Sequence, residues 1–530
     1  MSWRNRALAV TAALALAVSA TACSGGKVRG AGTADPFIYS FNLNVVTDWD
    51  PATSYSNEII AMQNIYESLT RYDSKTKKAK PLLATEWTPS EDGKEWTFKL
   101  REGVKFHTGN PVTSASAKAA IERTIEMEGG AAYIWDPVKS IETPDPQTLV
   151  FKLKYAAPLD LISSSGYAAY IYDTKAPSGG DLKDHFAKGQ DTGTGPYTVA
   201  SWNKGQEAEV RLDQFKEYWG GWDGAPYTSI EFRNTPQVTT AWQQLQAGDV
   251  SFVHRLNPQL FEQAEKAGDI ETQATPSFQN LLSFFNTEAG PLKDVKLRKA
   301  LQAAIDYDGL VSALKGSVTS ASGVVPNGLT GATPGLAARQ NTAEATRLLN
   351  EAGYGPGKKK LTLDATYAQG DADQQTFVTL FSSALKSLNV ELQAKPMQWD
   401  AQWDRAKSKD PSKRQDVFIM YWFPDYPDAY SWFLNLFRSA DPVNFNLTYL
   451  DDAGVDKEID KLPELTATKR SEAEKAYGTL QRELLNERAV AAPLFVQQYQ
   501  RAYSADIEGY TDNPAYPSVV FVHQLRSAAS

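Results

Sequence analysis

The chain holds a single cysteine, Cys23, so nothing beyond it can form a disulfide and the fold must be held by burial alone. A length of 530 residues supplies the interior for that and argues for two or more lobes. Short strands and helices alternate along the whole chain, a mixed α/β pattern with no repeat at a fixed period. Residues 96–100 alternate as a strand behind the Asp92-Gly93 turn signal, and 148–153 alternate again. Residues 113–127 read as a helix capped by Thr113 or Ser114. Residues 197–202 and 208–212 flank Asn203-Lys204-Gly205 as a hairpin. Further on, Asp294 caps a helix with Leu297, Ala300, Leu301, Ala304 and Ile305 on one face. Asn341 and Glu344 make a capping-box variant for a helix that Gly353 ends. Residues 361–367 return as a strand, and 471–486 form an amphipathic helix.

The first residues predict export. Arg4 and Arg6 precede an apolar run, 7–18, broken only by Thr11, which is the pattern of a secretory signal. The run is well short of the ~20 residues that span a bilayer. Ala20-Thr21-Ala22-Cys23 resembles a bacterial lipobox, in which the Cys carries a diacylglycerol and becomes the new N-terminus; Ala20 stands where Leu is preferred. Residues 1–22 are thus expected to be the lipoprotein signal and 23–34, rich in small residues, a flexible tether. The net charge of −9 becomes more negative once Arg4 and Arg6 are removed, which argues against nucleic-acid partners.

Motifs for chemistry are absent. The four histidines, His107, His185, His254 and His523, are far apart and have no metal-site spacing. There is no Gly-x-Ser-x-Gly elbow. Gly353-Tyr354-Gly355-Pro356-Gly357-Lys358 lacks the first Gly of a phosphate loop at the right offset, and Lys359 replaces the magnesium-binding hydroxyl, so it reads as a helix-ending turn. His107, at a strand end before Gly109, reads as a residue that locks the adjoining turn. The expectation is a binding protein with no catalytic residue, cofactor or metal.

Several segments together resemble the extracellular solute-binding proteins of ABC importers, family 5, which include dipeptide- and oligopeptide-binding lipoproteins. They are Asn64-Ile65-Tyr66-Glu67-Ser68-Leu69, a long match from Leu83-Ala84-Thr85-Glu86-Trp87 to Phe106-His107, Pro111-Val112-Thr113, Gly193-Thr194-Gly195-Pro196-Tyr197, and Phe285-Asn286 through Ala304-Ile305-Asp306. The resemblance implies an α/β, bilobal periplasmic-binding-protein-like fold of type II, large-cluster form, with two lobes joined by a hinge and an extra inserted subdomain. It implies a discontinuous lobe I (35–69, 186–285 and 496–530), the inserted subdomain at 70–185 and lobe II at 286–495. Ligand binds between the lobes, which close over it. The implied partners are a small ligand, most readily a peptide, and ABC permease subunits. The protein is expected to act as a monomer on the outer face of the cell membrane, facing the periplasmic or extracellular space.

The segment Tyr421-Trp422-Phe423-Pro424-Asp425-Tyr426 resembles the family's Trp-x-x-Asp-Tyr stretch. By that resemblance Asp425 receives a peptide's α-ammonium, the 417–421 strand offers backbone groups to an extended ligand, and Tyr421, Trp422 and Phe423 form apolar walls. Tyr55 and Ser56 fall where the family places a ligand-facing loop, Trp135 in the inserted subdomain's loop (133–135), and Trp399 where many members present an aromatic. Core packing of these aromatics is an equal alternative. No Arg matches the one that dipeptide binders use for the ligand carboxylate; Arg405 is nearby but unaligned. Oligosaccharide capture on the same fold, or a signalling receptor, stays open as an alternative to peptide import.

Overall fold

The computed structural model describes residues 36–42, 45–175, 180–224, 226–336 and 338–528. The signal, the lipobox Cys23 and the tether lie outside them. The body is organised by a mixed sheet. From one edge its strands run Val390–Met397, Leu361–Ala368, Val417–Trp422, Ile270–Phe285, Ala491–Ser504, Phe252–Val253, Phe37–Phe41, Ser229–Asn234, Ala208–Gln214 and Tyr197–Trp202.

Two long strands hold this sheet together. Ile270–Phe285 and Ala491–Ser504 run antiparallel from the Ile270–Ser504 pair to the Phe284–Ala491 pair. At one end Ala502 and Tyr503 pair with Phe252–Val253; at the other, residues 280–285 pair with Val417–Trp422. The same two strands therefore serve both halves, as the hinge of a bilobal fold must. Their register breaks between Pro276 and Asn280, where the proline has no N–H for the ladder. Within each half the neighbouring strands are parallel: Phe37–Phe41 with Ser229–Asn234 and Phe252–Val253, and Leu361–Ala368 with Val390–Met397. The carboxyl ends of both parallel sets point toward the junction of the halves, where open α/β sheets bind ligands.

Strand alternation gives the sheet two different faces. Phe37, Tyr39 and Phe41 face a large core that continues through the antiparallel sheet of Ala84–Pro89, Glu95–Leu100, Thr148–Leu153 and Val138–Asp145 and the helices Tyr430–Leu436, Ala453–Thr468 and Arg470–Arg482. That side is called the front. On the rear, one core around Leu297, Leu301 and Phe381 covers one half, and another around Trp242, Leu245 and Phe261 covers the other. Trp432, fully buried on the front, donates its indole N–H to Asn280 Oδ1 at 3.1 Å and so ties a helix to the hinge strand.

Local signals in the sequence act as expected. Thr113 caps the Ser114–Met127 helix in a reciprocal box with Ser116, worth about 1 kcal/mol. Asp294 and Asn341 cap Val295–Ala304 and Thr342–Glu351, and the hairpin pairs Tyr197–Trp202 with Ala208–Gln214. The Asp92-Gly93 turn is longer than a two-residue hairpin, since Ser90 N–H bonds back to Glu95 O and Gly93 closes on Ser90 O. The late helix ends earlier than its periodicity suggests, at Arg482, and passes into one wide π turn over Glu483–Glu487. Gly193 and Gly195 are glycines for a packing reason. A Cβ at Gly193 would lie 2.1 Å from Ile65 O and one at Gly195 2.7 Å, so this loop touches the backbone that follows the Ile59–Met62 helix. His107 closes the same loop: its backbone N–H bonds to Gly193 O, Nδ1 donates to Asp191, and Nε2 donates to Gly195 O at 2.8 Å.

Candidate ligand-binding site

The loop after Val417–Trp422 carries Asp425 to the front junction of the two halves. Its backbone is held from below by Asp428, which accepts from Tyr430 N at 2.8 Å and from Tyr477 Oη at 2.7 Å. Asp425 is 5% exposed. Oδ1 accepts from the Tyr55 hydroxyl at 2.7 Å, Oδ2 from Ser431 Oγ at 3.0 Å, and the Tyr133 hydroxyl bonds to the same carboxylate. The Ser165 hydroxyl donates to the Asp425 backbone carbonyl. Burial pushes the Asp425 carboxyl above its ordinary range, and the hydroxyls of Tyr133, Tyr55 and Ser431 pull it part of the way back. Tyr55 itself sits on a turn fixed by Glu58, whose Oε1 accepts from the N–H groups of Tyr55 and Ser56 at 2.8 Å each. Its ring meets Tyr167 edge-to-face at 5.1 Å. The result is a negatively charged seam lined by tyrosine hydroxyls, suited to a ligand group that brings positive charge or several polar hydrogens.

The sequence-derived residues divide. Asp425, Tyr55 and Trp422 come together: Trp422 Nε1 donates to Ser431 Oγ at 3.2 Å and its ring packs on Phe445. Ser56 is exposed, and its carbonyl accepts from the Tyr167 hydroxyl at 3.4 Å. Phe423 is half-buried in the Asp425 loop. Tyr421 turns to the rear, its hydroxyl 3.5 Å from Asp373 Oδ2, because neighbours in a strand point to opposite faces and Trp422 takes the front. Trp135 is 1% exposed, stacked on Phe151 with its indole N–H on Ala168 O, so it is core and does not reach Asp425. Tyr133, two residues earlier in the same 3-10 turn, is the side chain that does. Trp399 is 48% exposed at a helix start against Trp403, away from Asp425's partners. Arg405 is bound to Asp364 at 2.8 Å and is not available to a ligand carboxylate. Sequence reasoning missed Ser431, Ser165 and Tyr167; the i, i+6 relation of Asp425 and Ser431 across a helix start was the one local clue.

A cavity of about 590 Å³ lies on the rear of the hinge, lined among others by Ser40, Arg255, Lys315, Asp373 and Thr376. Size alone would favour it as the ligand site. The Asp425 seam is the better candidate, because there side chains from segments distant in sequence converge on one buried carboxylate. Among the described residues no cluster of three or more His, Cys, Asp or Glu is placed to hold a metal. No helix among them is long and apolar enough to cross a membrane.

The family model for bacterial extracellular solute-binding proteins, family 5 (middle), matches residues 78–444. The chain belongs to this family. It is therefore a binding protein that works with an ABC importer, not an enzyme, and its relatives are extracytoplasmic. This family-5 protein is 25% identical over 497 residues to the probable D,D-dipeptide-binding periplasmic protein DdpA of Escherichia coli K12, covering 90% of this chain and 91% of that one. It is 27% identical over 484 residues to the glutathione-binding protein GsiB of Escherichia coli O157:H7, covering 88% and 90%. Solved structures share the fold. NikA from Brucella suis in complex with Fe(III)-EDTA superposes with a TM-score of 0.80 at 22% identity, over 93% of this chain and all of that one. The oligopeptide-binding protein AppA of Bacillus subtilis, in complex with a nonapeptide, gives 0.72 at 20% identity, over 94% and 99%.

Proposed function

We propose that this family-5 protein captures oligopeptides at the front junction of its lobes and delivers them to a membrane permease. The observation that carries the reading is Asp425, a buried carboxylate ringed by hydroxyl donors at the end of a sheet strand. A peptide's α-ammonium would replace the Tyr55 and Tyr133 hydroxyls on Asp425, gaining a charge-assisted hydrogen bond of about 1.5–3 kcal/mol. The lobes are then 35–69, 186–285 and 496–530 for the first and 286–495 for the second, with 70–185 inserted. Cys23 anchors the chain by its lipid to the outer face of the membrane, and the protein acts as a monomer. The dipeptide- and peptide-binding relatives support this choice of ligand, and the lack of an available Arg near Asp425 favours peptides longer than two residues. Calorimetric titration with a mixed tri- to hexapeptide pool, against wild type and Asp425→Ala, tests it. Heat that disappears in the variant is the expected result. Heat only with cello- or chito-oligosaccharides would replace the peptide assignment with sugar capture on the same fold.

A further inference from the structure

A second, smaller cavity of about 50 Å³ opens beside Asp425, between residues 133–162 and the loop and helix that follow Asp425. Its walls include Tyr133, Tyr155, Tyr426 and Tyr430, with two carboxylates, Asp136 and Asp425, and no Lys, Arg or His. Tyr133 and Tyr155 are 38% and 43% exposed, whereas Tyr426 is 8% exposed, so the pocket has a wet mouth and a dry floor. One cation stands at the edge, where the Lys154 charge acts on the Asp136 carboxyl without lining the pocket. Lys154 Nζ donates to the Asp136 backbone carbonyl at 3.0 Å, and Arg438 is bound to Asp460 at 2.7 Å.

The ligand chemistry follows from what the walls offer. Tyrosine ring faces carry negative quadrupole potential and the two acids add net negative charge, so the pocket attracts a cation. A primary ammonium needs several hydrogen-bond acceptors at once: a peptide's α-ammonium obtains them on Asp425 by displacing the Tyr55 and Tyr133 hydroxyls, whereas on the pocket side Ser431 stays on Oδ2. An alkylated ammonium needs none. It sheds its water easily and presents methyl groups to Ile162, Leu434 and Pro463, which complete the walls. The volume admits one small head group and excludes a residue-sized ligand.

We propose that this tyrosine-lined pocket is a binding site for an alkylated ammonium head group, held by ring faces and by the charges of Asp136 and Asp425. It goes beyond peptide capture, with which it shares Asp425, Tyr133 and Ser431 but none of the Tyr55 turn.

The test uses the full chain and two probes of the same shape: choline, and its uncharged isostere 3,3-dimethylbutan-1-ol, followed by saturation-transfer NMR and calorimetry. Choline should bind and the isostere should bind about tenfold more weakly. Tyr155→Ala, a change at an exposed ring, and Asp136→Asn should each weaken choline while leaving the heat of the peptide pool unchanged. Equal binding of the two probes, no binding of choline, or choline binding indifferent to both substitutions would overturn the proposal. Peptide heat without choline binding removes this inference alone; choline binding without peptide heat removes the peptide reading alone.

Discussion

On the front of the two hinge strands, Tyr55, Tyr133 and Ser165 all reach the Asp425 loop; on the rear, Arg255 faces Asp373 at 3.7 Å across a cavity of about 590 Å³. The front contacts end on a carboxylate that is 5% exposed, whereas both members of the rear pair are partly exposed, 45% and 20%, so the rear contributes little of its own. Both follow from one geometry. With the hinge strands between the two faces, a rotation that brings the front walls together must part the rear walls. Closure is thus the state in which the front contacts are made, as they are here, with a cavity of about 590 Å³ between the rear walls.

The comparison breaks most completely if the front turn is displaced. Gly193→Ala puts a Cβ against Ile65 O, with backbone on both sides and nowhere to yield. A loss of about 3 kcal/mol or more is expected, with the Tyr55 turn moved away from Asp425, read by denaturant melts and by a larger radius of gyration in solution scattering. The rear gives the opposite sign. Thr376→Trp or Ala313→Trp should wedge the groove apart, favour the closed form and tighten ligand binding several-fold, as any change that raises the competent fraction does. Weaker binding in both wedge variants would show that the faces do not trade against each other. A smaller effect is expected from Tyr55→Phe, which removes one hydroxyl from Asp425 and should loosen closure by about 1 kcal/mol, again seen by scattering.

Much of this architecture was legible beforehand. Caps such as Thr113, Asp294 and Asn341 act within one helical turn, and short alternating strands declare themselves over a few residues, so the elements could be placed from sequence. The Gly193-Thr194-Gly195 loop stood out as a landmark, although only its contact with Ile65 explains it. Facing directions were harder. Tyr421 and Trp422 cannot both line one cleft from a single strand, and a 3-10 turn sends Tyr133 outward while Trp135 enters the core. Aromatic content said that rings were plentiful and gave no sense of where they pointed. Ser165 and Ser431 carry no signal, since a serine becomes a site residue only by its neighbours in space.

The smallest effect on closure, none, is expected at His107, whose side chain touches neither Asp425 nor the lining of the rear cavity. It packs against Phe215 and faces Asp191, with Glu67 nearby. Burial would push the imidazole down, but the Asp191 charge and hydrogen bond outweigh it and hold the ring above its usual value; burial would push Asp191 up, but His107 and the Val199 and Gly193 N–H groups hold it below. Stability from His107 is therefore complete below its unfolded pKa, about 6.5, and is lost as pH rises through the higher folded value. Stability from Asp191 is present above about 3.9 and is lost as pH falls through its lower folded value. Melting temperature should thus be highest between those limits, and His107→Asn should flatten its alkaline side without changing scattering.

The long strand Ala491–Ser504 also fixes when the molecule can finish folding. It lies between Ile270–Phe285 and Phe252–Val253, in the middle of the sheet, yet every other strand of that sheet precedes it in the chain. A chain cut short of Ala491 lacks the ladder on which both halves are registered, so neither lobe is completed as it emerges. The sheet is completed only once this strand has been made, leaving a long interval in which the preceding polypeptide is still threadable.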